Sequence, residues 1–233
     1  MRVSIVKTGS AFPALRERRG DYDGWIADAM GATEVDLVDV QNGAALPDPA
    51  GPTAVVVTGS SSLVTDREAW SERTRPWLAE RARLDLPMLA ICYGHQLLAD
   101  ALDGSVRTHP AGRQMGSIEV TVTDAGQQDA LLGSLPPKLT VSASHRQHVN
   151  ALPSGAVLLA TTPHDHNHAF RLGRHIWAVQ FHPEWDDDVM RSYIASRRDT
   201  LLSEGLDPEQ MIADVRPNRD GAAILARFAE LVS

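Results

Sequence analysis

The sequence predicts an α/β fold: a doubly wound, mainly parallel sheet flanked by helices, with an antiparallel extension and a helical C-terminus. Three features carry this expectation. Short apolar runs rich in β-branched residues alternate with helical stretches through the first half. The middle then offers strand after strand with few helices between them, which favours antiparallel pairing or extension at a sheet edge. Beyond Pro183 the pattern turns helical.

In chain order, residues 3–7 read as a strand, 22–30 as a helix and 34–40 as a second strand. Residues 54–58, Ala-Val-Val-Val-Thr, form a short apolar strand of the kind buried on both faces in a parallel sheet. Residues 67–83 have helical spacing, with Trp70, Trp77 and Leu78 as anchors and Asp66 as the expected N-cap. The run Leu86-Pro87-Met88-Leu89-Ala90-Ile91 is another strand; it stops at Cys92, and a helix is expected over 94–103. In 116–123, Ile118, Val120 and Val122 alternate with Glu119, Thr121 and Thr123. Residues 139–142, 157–161, 168–172 and 176–181 are further strand candidates. Helices follow over 187–204, 209–215 and 220–232, with a turn at Leu206-Asp207-Pro208 and Asp186-Asp187-Asp188 capping the first of them. No repeat or long linker interrupts the chain, so residues 1–233 are expected to form a single domain.

Bulk properties narrow the function. A net charge of −8 provides no basic field for nucleic acid or an anionic membrane. The basic groups at 16–19 and Arg197-Arg198 sit among acids and read as solvated helix faces. No apolar run approaches the ~20 residues that span a bilayer, and the first residues lack the apolar region of a signal peptide. The single cysteine cannot form an internal disulfide, and a free reactive thiol suits a reducing cytoplasm.

That cysteine carries the strongest signal. A buried strand that stops at Cys92, turns through Gly94 and starts a helix lifts a sulfur onto a sharp elbow. The helix start aims free N–H groups and positive dipole at the sulfur, favouring thiolate. A cysteine nucleophile also needs a base, and His182 emerges at the end of the strand Ile176-Trp177-Ala178-Val179-Gln180-Phe181. Glu184 lies two residues on, on the same side of an extended backbone, where a carboxylate can hold the imidazole in one tautomer. His95 is the weaker base, because a helix N-terminus disfavours a protonated imidazole.

Together, Ala90-Ile91-Cys92-Tyr93-Gly94-His95-Gln96 and Gln180-Phe181-His182-Pro183-Glu184 resemble the class I glutamine amidotransferases, most closely the amidotransferase domain of GMP synthase and its stand-alone relatives. The resemblance spans residues 3–184. It implies that Cys92 attacks the glutamine carboxamide, that His182 acts as base and then acid, and that Glu184 orients it. It further implies oxyanion donors at Tyr93 and in the Gly59 turn, substrate contact by Gln96, and a substrate-holding loop at Ser144-His145-Arg146. Three departures stand out: Ala90 replaces a frequent glycine, the Thr58-Gly59-Ser60 turn lacks Gly-Gly-Pro, and Gln147 replaces a frequent acid. The last weakens recognition of a free α-amino group, since a neutral amide attracts an ammonium less than a carboxylate does.

No cofactor is implied, and no nucleotide-binding or ATP-activating segment is visible. His164, His166 and His168 alternate as metal ligands can, but Asp165 and Asn167 beside Pro163 favour an exposed loop, so no metal is expected. His145 and His148 are expected to line the pocket or its rim. Three functions stay open. The first is glutamine hydrolysis, supplying ammonia to a separate synthetase subunit. The second is a stand-alone γ-glutamyl peptidase or amide hydrolase acting on a γ-glutamyl compound. The third is a non-catalytic binding or regulatory homologue.

Overall fold

A computed structural model describes residues 2–233. The first half runs β1 (Arg2–Lys7), α1 (Pro13–Arg19), α2 (Tyr22–Met30), β2 (Glu34–Asp39), β3 (Val55–Val57), α3 (Ala69–Arg83), β4 (Met88–Ile91) and α4 (Tyr93–Ala101). There follow β5 (Ser105–Thr108), β6 (Gln114–Val122), α5 (Asp124–Gln127), β7 (Lys138–His145), β8 (Gln147–Ala151), β9 (Val157–Thr161), β10 (Ala169–Leu172) and β11 (Ile176–Val179). The chain closes with α6 (Asp187–Ser196), α7 (Arg198–Ser203), α8 (Pro208–Ala213) and α9 (Arg219–Leu231).

Nine strands form one sheet in the order β2-β1-β3-β4-β11-β10-β9-β6-β7. β2, β1, β3, β4 and β11 are parallel neighbours, while β10, β9, β6 and β7 extend the sheet by antiparallel pairing. Successive residues of the parallel strands face opposite layers. Val3, Ile5, Val56, Leu89, Ile91 and Trp177 pack with Ile26 of α2 and Phe228 of α9. Val6, Val55, Val57, Met88, Ala90 and Ala178 pack with Trp77 of α3 and Leu97 of α4. A strand buried on both faces has no polar alternation, and that is why these runs read as unbroken apolar sequence.

The sheet fixes where chemistry can sit. Val57 pairs with Ala90, and Ile91 pairs with Val179, so β3, β4 and β11 end side by side at one carboxyl edge. Chain leaving that edge meets in a single crevice.

Several local expectations are corrected. Asp66 does not cap α3: it closes a 3₁₀ turn, Arg67 follows at φ 52°, and Glu68 occupies the N-cap position without a side-chain cap bond. The helix expected over 187–204 breaks at Arg197 into α6 and α7. Helix α1 carries the solvated basic face read at 16–19, and Pro13 in its first turn suits a helix start. β5 and β8 pair apart from the main sheet, and their polar composition gave little alternation to read. Asp186 does cap α6, accepting from Val189 N–H at 2.8 Å.

Candidate active site

Cys92 leaves β4 at φ 52° and ψ −98°, a left-handed conformation that an L-residue adopts only when its surroundings force it. Two contacts do so. Its N–H donates to the Val179 carbonyl at 2.8 Å, and α4 begins at the next residue. A Cβ on Gly94 would lie 2.8 Å from the Val57 carbonyl oxygen, so the helix start reaches this close to β3 only with glycine there. The Cys92 side chain is almost wholly enclosed, and Gln180 Nε2 lies 3.6 Å from its sulfur.

His182 leaves the neighbouring strand. Its N–H donates to the Ser142 carbonyl at 2.7 Å, anchoring it to β7. Its Nδ1 lies 2.8 Å from Glu184 Oε1, and Trp185 stacks on the imidazole with centroids 3.7 Å apart. Burial opposes charge on this imidazole, but Cys92 and Glu184 outweigh it and raise its pKa to about 10. Gly59, in the turn after β3, meets both groups. A Cβ there would lie 2.8 Å from His182 Cε1 and 3.5 Å from Cys92 Cβ. Sulfur-bearing residue, imidazole and Gly59 turn therefore converge from three adjacent strands, and such a set can support acyl transfer through a thioester.

Cys92 borders a cavity of about 220 Å³, together with Tyr93, Gln96, Ser144, His145 and Arg146. Every substrate-contact residue expected from sequence thus lies on it. The roles divide unevenly, however. Gln96 Nε2 donates to the Gln147 carbonyl at 2.8 Å and to Gln180 Oε1 at 2.9 Å, so its amide is tied into the wall. Gln147 is tied too: its Nε2 donates to Thr65 Oγ1 at 2.7 Å and its Oε1 accepts from Val64 N–H at 3.0 Å. Among the described residues no carboxylate lines this cavity, whereas Arg113, Arg146 and Arg197 do. The reading of Arg197 as a solvated helix face is thereby corrected, because the break between α6 and α7 turns it toward Cys92.

Two further residues escaped the sequence reading. Gln180 links Gln96 to the sulfur from inside the core. Asn218 caps α9 through its bond from Gly221 N–H, and its Nδ2 donates to the carbonyls of His182 and Trp185, each at 2.9 Å. Gln180 was visible in the motif; Asn218 had no signal beyond being a good N-cap.

The 163–168 segment is not the exposed loop expected. Asp165 and His168 are buried, and His145, His148 and His168 place ring nitrogens 3.6–3.9 Å from the Asp165 carboxylate. Burial opposes the charge of Asp165, yet the surrounding histidines, His168 foremost, hold it below the usual carboxylate range. Burial also pushes His145 well below its ordinary value and takes His95, packed against Phe170, down to about 3. Among the described residues, no three such side chains are placed to hold a metal ion. None of their helices is long and apolar enough to cross a membrane.

Comparison with known proteins gives a consistent picture. The sequence model of the family Glutamine amidotransferase class-I matches residues 20–197. The glutamine-hydrolysing GMP synthase of Aeropyrum pernix is 36% identical over 182 residues, covering 78% of this chain and 32% of that protein. One subunit of the glutamine-hydrolysing GMP synthase of Halobacterium salinarum is 40% identical over 108 residues, covering 45% of this chain and 56% of its own length. The chain therefore spans about a third to just over a half of these curated relatives. A glutamine amidotransferase of Thermotoga maritima superposes over 100% of this chain and 98% of its own, with TM-score 0.79 and 21% identity, a likeness of fold.

Proposed function

Because the chain belongs to the class I glutamine amidotransferase family, whose members are glutamine-hydrolysing cysteine enzymes, we propose that Cys92, His182 and Glu184 hydrolyse a glutamine side-chain amide. The observation that carries this reading is the closeness of Cys92 and His182 around Gly59, where an added Cβ would lie 3.5 Å from Cys92 Cβ and 2.8 Å from His182 Cε1, with Glu184 Oε1 2.8 Å from the imidazole Nδ1.

The chemistry needs two acyl transfers, first to the Cys92 sulfur and then to water, with His182 moving the protons. The Cys92 sulfur adds to the carboxamide carbon, and the developing oxyanion faces the Tyr93 N–H, which no helical carbonyl can reach at the first turn, and the Gly59 turn. His182 takes the Cys92 proton as the sulfur adds and gives it to the nitrogen as the C–N bond breaks and ammonia departs. A water molecule then loses a proton to His182 and attacks the γ-glutamyl thioester, releasing glutamate and restoring the sulfur. Glu184 keeps Nε2 of the imidazole aimed at the reacting atoms. Ser144, His145 and Arg146 hold the substrate's polar end, and Gln96 holds the wall behind it.

The whole chain acts as one such domain in a reducing cytoplasm, where a free thiol persists. The Halobacterium relative is named as one subunit of a GMP synthase, which supports transfer of the ammonia to a separate synthetase chain.

The reading is tested with 6-diazo-5-oxo-norleucine, a glutamine-mimicking electrophile. Intact-mass spectrometry should show one adduct, mapping to Cys92 and missing from Cys92→Ala, and glutamine should yield ammonia. An unmodified Cys92 with no amide turned over would leave a binding or regulatory role.

A further inference from the structure

A second cavity, of about 400 Å³, opens beside the first and is bordered by Phe12, Tyr22, Ser61, Tyr193 and Arg197. Ser61 and Arg197 belong to both walls, so the two spaces adjoin. Their order along the reaction follows from His182. The group that protonates the departing nitrogen marks the leaving-group side of the scissile bond. Tyr22, on the second cavity, has its ring centroid 6.4 Å from that of His182. Ammonia needs little more room than a water, whose share of liquid volume is about 30 Å³. The space beyond Tyr22, about 400 Å³, is far larger than ammonia requires.

Its chemistry is specific. The aromatic side is built: Phe12 meets Tyr193 edge to face at 5.3 Å, and the Tyr22 and Tyr193 hydroxyls bond at 2.6 Å, leaving ring surface toward the cavity. Arg197 Cζ lies 5.9 Å from the Tyr193 ring centroid. Among the described residues it forms no ion pair, whereas its neighbour Arg113 is paired with Glu204 at 2.8 Å. Burial, and then Arg113, disfavour its charge, so an anion placed against it would relieve both.

We propose that the second cavity is a leaving-group subsite, in which Arg197 pairs with a carboxylate on the amine that departs and the Phe12 and Tyr193 rings pack against that amine's side chain. The substrate class is then the γ-glutamyl dipeptides whose second residue is apolar or aromatic. This rests on the Cys92–His182 amide chemistry proposed above and adds to it the identity of the leaving group. The step is the same in its balance: the Cys92 sulfur bonds the γ-carbonyl carbon and the amide C–N bond breaks. The His182 proton goes to the nitrogen, and a free amino acid leaves instead of ammonia. Water completes the hydrolysis to glutamate.

The test compares kcat/KM of the full chain for γ-glutamylphenylalanine, γ-glutamylmethylamide and glutamine. The dipeptide should exceed the methylamide at least 10-fold. In Arg197→Gln that ratio should collapse toward one, and Arg197→Lys, which keeps the charge but not the planar fork, should restore part of it. Independently of any variant, free phenylalanine should slow labelling of wild-type Cys92 by iodoacetamide more than phenethylamine does, since only the amino acid carries the carboxylate. Turnover with equal kcat/KM for dipeptide and methylamide, or a preference that survives in Arg197→Gln, overturns the subsite alone. No acyl adduct on Cys92 from any of the three substrates overturns the amide chemistry and the subsite together.

Discussion

Asn218 Nδ2 donates to the carbonyl oxygen of His182 at 2.9 Å, so the cap of the last helix holds the loop that carries the proposed base. The same amide reaches the Trp185 carbonyl, while its Oδ1 accepts from Gly221 N–H at 3.0 Å. One side chain therefore starts α9 and fixes the His-Pro-Glu turn. Loss of the cap alone costs about 1 kcal/mol, and loss of two buried hydrogen bonds to carbonyls adds about 1 kcal/mol each.

Asn218→Ala is expected to lower both thermal stability and kcat. Asn218→Asp separates the two effects, because its carboxylate still caps α9 but donates nothing to His182 and Trp185. Its melting temperature should stay closer to wild type while kcat falls to the level of Asn218→Ala. Equal kcat in Asn218→Asp and wild type would remove the loop-positioning role.

Gly59 and Gly94 both exclude a methyl group, with different consequences. A Cβ on Gly59 meets the end of the His182 ring at 2.8 Å, whereas one on Gly94 meets backbone, the Val57 carbonyl, at 2.8 Å. Gly59→Ala should displace the imidazole and cut kcat on the order of 10²-fold, the scale of a lost acid–base group, with a small change in melting temperature. Gly94→Ala should cost about 1–3 kcal/mol in stability as overpacking between α4 and β3. Urea titrations and kcat on both variants check the contrast.

Glu184→Gln removes one of the two groups that favour charge on His182. In the wild type the folded pKa is raised from 6.5 to about 10. This pair therefore contributes stability that is complete below pH 6.5 and disappears as pH rises toward 10. In Glu184→Gln the imidazole should titrate lower in NMR, and the loss of stability on the alkaline side should be smaller and end at a lower pH. Activity should fall about 10²-fold without vanishing, since Cys92 and His182 remain. An unchanged His182 titration would contradict the orienting role.

The buried histidines set the acid limit. His95, fully enclosed, has a folded pKa pushed down from 6.5 to about 3, and His145 moves the same way. As pH falls below 6.5, the unfolded chain takes up protons that the folded chain refuses. Each such histidine then removes up to about 1.4 kcal/mol of stability per pH unit. Asp165, held below the carboxylate range, adds a loss in the same direction below about pH 4. His95→Leu removes the titrating ring from its site against Phe170, so it should flatten the decline toward pH 4. Chemical denaturation at several pH values measures the slope.

Much of this was legible along the chain. The unbroken apolar runs of β3 and β4 announce strands covered on both faces, because backbone in a parallel sheet has no solvent side to mark with polar residues. Cys92, His182 and Glu184 stand out because a strand end is where a sheet exposes chemistry, and that geometry is local. Local rules also explain the misses. Asp66 has the right chemistry for a cap, but the chain enters α3 through Arg67 in a left-handed turn that pairwise spacing does not reveal.

The sequence by itself determined the layered α/β plan, the elbow at Cys92 and the imidazole–carboxylate pair two residues apart, since each follows from short-range periodicity and covalent reach. Only the tertiary structure decided which cations face the sulfur, that Gln147 is tied to Thr65 and Val64, that Asn218 holds His182, and that three histidines surround Asp165. Those contacts join residues far apart along the chain, and their partners are chosen by how helices and loops pack over the sheet edge, a choice that no local pattern of residues encodes.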